Sequence, residues 1–117
     1  MKSPDRNIAY LDDMLEAIEL IHTYIMKNVS EDSFSINPEK QDAVLRRIQI
    51  IGEAVKKISD KTRKAYSDVP WREIAGMRDI VVHDYGGVTL PLIYRVVTTD
   101  IFGLEKQIRK IRQEIST

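Results

Sequence analysis

Apolar residues recur along this chain at helical spacing, and no window shows the sustained alternation of a strand. Ile8, Leu11, Leu15, Ile18, His22 and Ile25 follow one another at alternate steps of three and four, with Met14 and Ile21 widening the stripe. That is the seam of an amphipathic helix. Asn28 to Ile36 is polar and aperiodic and reads as a loop or frayed turn. Asn37-Pro38 reads as an N-cap and first helical position. Lys40 stands where a Glu or Gln would complete a capping box. Val44, Ile48, Ile51, Val55 and Ile58 carry a second long helix. Residues 59–70 are polar and charged, with room for a short helical turn, and close with Asp68-Val69-Pro70. A third helix starts near Pro70 and turns Ile74, Met77 and Val81 inward. Asp84-Tyr85-Gly86-Gly87 stops it, since a glycine pair suits a left-handed C-cap. The fourth begins at Thr89-Leu90-Pro91 and carries Ile93, Val97, Ile101, Leu104, Ile108, Ile111 and Ile115. Ile80-Val81-Val82 alone would suit a strand, and nothing pairs with it.

The expected fold is therefore all-α, an antiparallel four-helix bundle with room for one short extra helix. A length of 117 residues fits one domain over 1–117 with a single core. The absence of cysteine removes disulfide scaffolds, thiol catalysis and cysteine zinc sites together. No apolar stretch follows Met1–Arg6, so no signal peptide is expected. No apolar run approaches the roughly 20 residues of a membrane helix. The expectation is a cytoplasmic protein without membrane contact.

Charge changes the picture only locally. Lys+Arg and Asp+Glu are 18 each, which argues against a generic polybasic nucleic-acid coat. Residues 1–36 carry three basic and seven acidic side chains, a balance of −4, whereas residues 46–64 carry seven and two, a balance of +5. Two readings stay open. One is a pair of solvated helix faces of opposite sign. The other is a basic flank that attracts a polyanion, with an acidic face left for a protein partner.

The search for chemistry is short because there are two histidines. His22 lies on the seam of the first helix and reads as a structural residue at the core edge. Neither histidine has a second histidine at metal-binding spacing, so no metal and no cofactor are expected. Gly86-Gly87 ends a helix rather than opening one, so a phosphate-cradling loop lacks its basis. No G-x-S-x-G nucleophile signature is present. His83 stands apart, within Arg78-Asp79-Ile80-Val81-Val82-His83-Asp84-Tyr85. Asp79 and His83 are four residues apart and meet on one helix face, where the carboxylate can orient and charge the imidazole. Arg78 adds a permanent cation on the shoulder of that face. A group that titrates near neutrality, a carboxylate and a guanidinium together suit phosphodiester chemistry. A plain salt-bridged helix end is the competing reading of the same residues. Tyr85 alone reads as a tyrosine packed at a helix end, Trp71 as a core or dimer anchor, and Glu53 as a helix-packing or hydrogen-bonding residue.

The pattern R-(N/D/H)-x-x-x-H-x-Y, present as Arg78, Asp79, His83 and Tyr85, resembles the HEPN superfamily, and more narrowly the HepT-like ribonuclease toxins. Val69-Pro70-Trp71-Arg72-Glu73-Ile74-Ala75-Gly76-Met77-Arg78 is similar to that family's approach to its active site. Arg47-Ile48-Gln49-Ile50-Ile51-Gly52-Glu53-Ala54 is similar to its second-helix signature. The likeness runs from about Ile8 to Ile115. Asp79 is a departure, since Asn is commoner there; the superfamily tolerates Asp, which brings a negative charge nearer to His83.

The resemblance implies a metal-independent endoribonuclease that works as a homodimer, with Arg78, Asp79 and His83 as catalytic residues of both copies facing one cleft. Transesterification by an RNA 2′-hydroxyl wants a general base and a general acid, and pairing two chains about a two-fold axis brings two Arg78–His83 sets together. The resemblance also implies a partner, a minimal nucleotidyltransferase antitoxin that silences the toxin by transferring AMP to Tyr85. A bulky phosphate beside Arg78 and His83 would occupy the anion site of the RNA substrate. The alternative is a non-catalytic helical module that binds or regulates a nucleotidyltransferase.

Overall fold

The computed structural model describes residues 5–83 and 89–116, of which 80–83 and 89 are described by backbone alone. The first helix, α1 (Arg6–Glu19), is capped by Asp5, whose carboxylate accepts from the Asn7 backbone N–H at 2.8 Å. It runs on into a π-helical stretch, Leu20–Ile25. Asn28 turns the chain at φ 58°, a left-handed conformation that Asn tolerates. Ser30 then caps a short helix, α2 (Glu31–Ser35).

Asn37 caps α3 (Pro38–Lys57) as expected, its side chain accepting from the Lys40 N–H at 3.1 Å with Pro38 in the first turn. Lys40, which leaves the capping box incomplete, has another use. Its Nζ donates to the Ile25 carbonyl at 3.0 Å and ties the start of α3 to the end of the π stretch. Ser59 caps α4 (Asp60–Ala65), and α5 (Trp71–His83) follows Pro70. The last helical passage is α6 (Thr89–Arg95), a π-helical stretch Val96–Asp100, and α7 (Ile101–Ile115).

Long-range contacts give the helix directions. Asn7, near the start of α1, donates to Ser59 Oγ at 3.1 Å and to Thr62 Oγ1 at 3.0 Å, and its Oδ1 accepts from the Ser59 N–H at 3.0 Å. Together with Lys40 on Ile25, this makes α1 and α3 antiparallel. Arg112 of α7 pairs with Asp12 of α1, while the His22 and Phe102 rings lie 5.7 Å apart, so α1 and α7 are also antiparallel.

The core runs through Leu11, Met14, Ile18 and Ile21 of the first helical passage, Val44, Val55 and Ile58, and Val97, Ile108 and Ile111. All-α is therefore right, and no strand occurs among the described residues. Three details differ from expectation. Residues 31–35 form a helix rather than a loop, because Phe34 is buried and rests 5.8 Å from the Tyr94 ring, whose hydroxyl donates to the Val29 carbonyl. The first helical passage buries Met14 and Ile21 as fully as Leu11 and Ile18, whereas Leu15 and Ile25 are only half-buried. Finally, the helix count exceeds four plus one short helix, since α2 and α4 are both short and the last passage is interrupted by a π stretch.

Trp71 sits in the core, and its indole N–H donates to the Tyr66 carbonyl at 3.0 Å. Ile74 is buried and Met77 half-buried beside it, which anchors the first half of α5 on the bundle. That anchorage positions the residues at 78 and 79.

Candidate active site

Two helices build the candidate site. From α5 come Arg78 and Asp79; from α3 come Gly52 and Lys56. The helices meet closely at Gly52. A Cβ built there would collide with the Arg78 Cβ, and would lie 3.1 Å from its Cγ and 3.5 Å from its Cα. Only a residue without a side chain admits α5 at this spacing. The contact holds the base of the Arg78 side chain against α3.

The guanidinium is partly drawn in. Arg78 is 28% exposed, its Nη1 donates to Asp79 Oδ1 at 3.2 Å, and its Nε is buried without a hydrogen-bond partner among the described residues. Lys56 donates to the same oxygen of Asp79 at 3.3 Å. Lys56 and Asp79 remain about half exposed, at 46% and 51%. The hydrogen bond from Lys56, then that from Arg78, holds the Asp79 carboxyl below its ordinary pKa. The result, among the described residues, is two cations on one carboxylate at the surface.

Asp79 contacts Lys56 and Arg78, and the expected pairing of Asp79 with the His83 imidazole lies outside the described residues. His83 is the last residue of α5, and its side chain lies outside the described residues, as do all of Tyr85 and the stop sequence around it. Glu53 is half-buried and accepts from Gln49 Nε2 at 3.3 Å on its own helix, a hydrogen-bonding residue as expected. His22 is half-buried on the π stretch against Phe102, and has no described contact with Arg78 or Asp79. Among the described residues no group of three or more His, Cys, Asp or Glu could hold a metal ion. An open depression of about 1030 Å³ extends from Asp79 along α4 and the start of α5. Arg63, Lys64 and Arg72 line it together with Asp60, Asp68 and Glu73, so its walls carry both signs.

Sequence reasoning counted Lys56 only as part of a basic stretch. A better signal was present: Gly52 and Lys56 stand four residues apart, so they share one face of α3. A glycine inside an apolar helix marks the face where another helix approaches.

The family model described as "Ribonuclease HepT-like" matches residues 14–111, which spans α1 to α7 and includes Gly52, Lys56, Arg78, Asp79 and His83. The chain belongs to the HepT-like ribonuclease family. Named relatives agree with this placement. A Methanocaldococcus jannaschii protein named for gamma-glutamylcyclotransferase and, provisionally, RNase is 47% identical over 91% of this chain. The chain spans about half of that relative, 47% of its length. A Caldanaerobacter subterraneus protein provisionally named an RNase is 39% identical over 97% of this chain and 98% of its own. A Thermococcus cleftensis protein provisionally named ribonuclease HepT is 39% identical over 89% of this chain and 94% of its own. No solved structure matches the chain. Within this HepT-like fold, no helix among the described residues is long and apolar enough to cross a membrane.

Proposed function

We propose that this HepT-like chain is a metal-independent endoribonuclease, the toxin of a toxin–antitoxin pair, which acts as a homodimer on RNA. The observation that supports the reading is Arg78, whose side chain is held at its base against Gly52 and left 28% exposed, on the helix that ends at His83. Arg78 donates to the non-bridging oxygens of the scissile phosphate and stabilises the charge that builds there. His83 takes the proton from the RNA 2′-hydroxyl as that oxygen bonds to phosphorus. The phosphorus–O5′ bond breaks, and the imidazolium of a second copy returns a proton to the leaving oxygen. The products are a 2′,3′-cyclic phosphate and a free 5′-hydroxyl.

Two copies are needed because each chain brings one histidine to this chemistry. The second histidine, His22, is packed against Phe102. The partner is a minimal nucleotidyltransferase that silences the toxin by placing AMP on Tyr85, two residues beyond His83.

Expression without any antitoxin tests the reading. Wild type should arrest growth and cut RNA in the presence of EDTA, with cyclic phosphate ends and no action on DNA, which has no 2′-hydroxyl. His83→Ala and Arg78→Ala should do neither while keeping the helical circular-dichroism spectrum. Light scattering should give twice the 13.5 kDa of one chain. A wild type that binds a nucleotidyltransferase and cuts no RNA would establish the non-catalytic module instead.

A further inference from the structure

We propose that Lys56 is a second phosphate-binding residue of this site, and that Asp79 holds it there until RNA arrives. The proposal rests on the ribonuclease reading for its substrate and on the geometry of three side chains for its content. Lys56 Nζ and Arg78 Nη1 lie 3.3 and 3.2 Å from one oxygen, Asp79 Oδ1. They are thus at most about two hydrogen-bond lengths apart, a spacing that the two non-bridging oxygens of one phosphate can bridge. A carboxylate oxygen and a phosphate oxygen are similar acceptors, so Asp79 occupies the place of the substrate anion. Both cations are set in advance by the fold: Lys56 lies one turn beyond Gly52 on α3, and Gly52 fixes how near Arg78 comes.

The next residue shows that this position is specific. Lys57 sits with its Nζ 5.9 Å from the centre of the Tyr10 ring. Two adjacent lysines of equal charge therefore face different surroundings, α5 for one and α1 for the other. If RNA were drawn only by the general positive balance of residues 46–64, the two would be equivalent. If Lys56 holds a phosphate, they are not.

The test uses the full chain with His83→Ala, so that RNA stays intact, and measures binding of a fluorescein-labelled single-stranded RNA by anisotropy over a range of salt. Lys56→Gln should weaken binding about tenfold, the loss of one charge-assisted contact. It should also lower the slope of log affinity on log salt by roughly 0.7, one phosphate contact on a single strand. Lys57→Gln should stay within about twofold of its parent, and Lys56→Arg should retain most of the affinity.

Asp79→Asn should by itself tighten binding, since it frees both cations. In that background Lys56→Gln should weaken binding as much as before. If the Lys56 effect vanishes there, Lys56 only masks Asp79 and the proposal is overturned. It is equally overturned if Lys56→Gln matches Lys57→Gln, or if neither parent binds RNA. Cleavage by the chain with His83 intact is scored separately. An inactive protein with Lys56-dependent binding ends the ribonuclease reading and leaves Lys56 as a phosphate contact. An active one indifferent to Lys56 does the reverse.

Discussion

Gly52 of α3 lies so close to Arg78 of α5 that a methyl group has no room between them. The nearest atoms are the Cβ, Cγ and Cα of Arg78, at the base of the side chain, so bending its flexible end gives no relief. Gly52→Ala should therefore push α5 outward. We expect a loss of about 1–3 kcal/mol, the usual cost of overpacking, despite the better helix propensity of alanine. Urea denaturation followed by circular dichroism measures it. Gly76→Ala and Gly103→Ala, also in helices but with nothing within 4 Å of the added carbon, should raise stability by about 0.5–1 kcal/mol. RNA cleavage should fall in the first variant alone.

The Asp79 carboxyl titrates below its ordinary value because Lys56, and then Arg78, donate to it. A lowered carboxyl pKa contributes stability that is present above the unfolded value of about 3.8 and is lost as pH falls through the lower folded value. The Asp79 contribution is thus complete at neutral pH and disappears only in acid. Carbon-detected NMR titration of the Asp79 carboxyl should show an upward shift in Lys56→Gln and a smaller one in Arg78→Ala. An unchanged midpoint in Lys56→Gln would mean that the ion pair is absent in solution.

Asn7 joins the start of α1 to the α3–α4 junction with its whole side chain. Its amide donates to Ser59 and Thr62, and its carbonyl oxygen accepts from the Ser59 N–H. Asn7 and Thr62 are buried. Asn7→Ala leaves those groups short of partners and should cost about 1–3 kcal/mol. Because Asn7 lies far along the chain from Arg78 and has no described contact with it, RNA affinity of the folded variant should match wild type. Denaturation midpoints and anisotropy, measured on the same sample, check the two halves.

Tyr85 is the proposed acceptor of AMP. Incubation with a cognate nucleotidyltransferase and ATP should add one adenylyl group at Tyr85 and stop cleavage, because the new phosphate competes with RNA for Arg78. Tyr85→Phe should resist the modification and still cut RNA, since no proton transfer is assigned to the phenol. Intact mass and peptide mapping give the answer. AMP on another tyrosine, or undiminished cleavage by the modified chain, would refute the switch.

The long helices were legible because their seams repeat over several turns. Val44, Ile48, Ile51, Val55 and Ile58 are all buried, and so are Ile93, Val97, Ile101, Ile108 and Ile111. The Asn37-Pro38 start was legible for a different reason, since a cap and a first-turn proline act locally. By contrast, α2 was hidden: it buries the single residue Phe34, and one apolar position has no period. The edges of the first seam were less legible: Met14 is buried in place of Leu15, and past Ile21 the π-wound stretch carries the next buried position five residues on, to Met26 rather than Ile25. At the site, Arg78 and Asp79 were legible as a motif. Their tie to Lys56 was not, because it depends on how near α5 packs to α3, a distance written in one glycine and not in any repeat.

The spans of the tertiary contacts also set an order of events. Lys56 and Asp79 are 23 residues apart, whereas the Asp12–Arg112 pair that helps to fasten α7 to α1 spans 100. Closing the longer loop costs about 1.3 kcal/mol more chain entropy. During synthesis the wait is also longer, since α7 leaves the ribosome after α3 and α5. The shorter loop thus favours closing Lys56 onto Asp79 before α7 packs on α1 over Leu11, Met14 and Ile18. A released chain cut just before α7 would therefore leave that face of α1 uncovered, the surface on which a chaperone has most to bind.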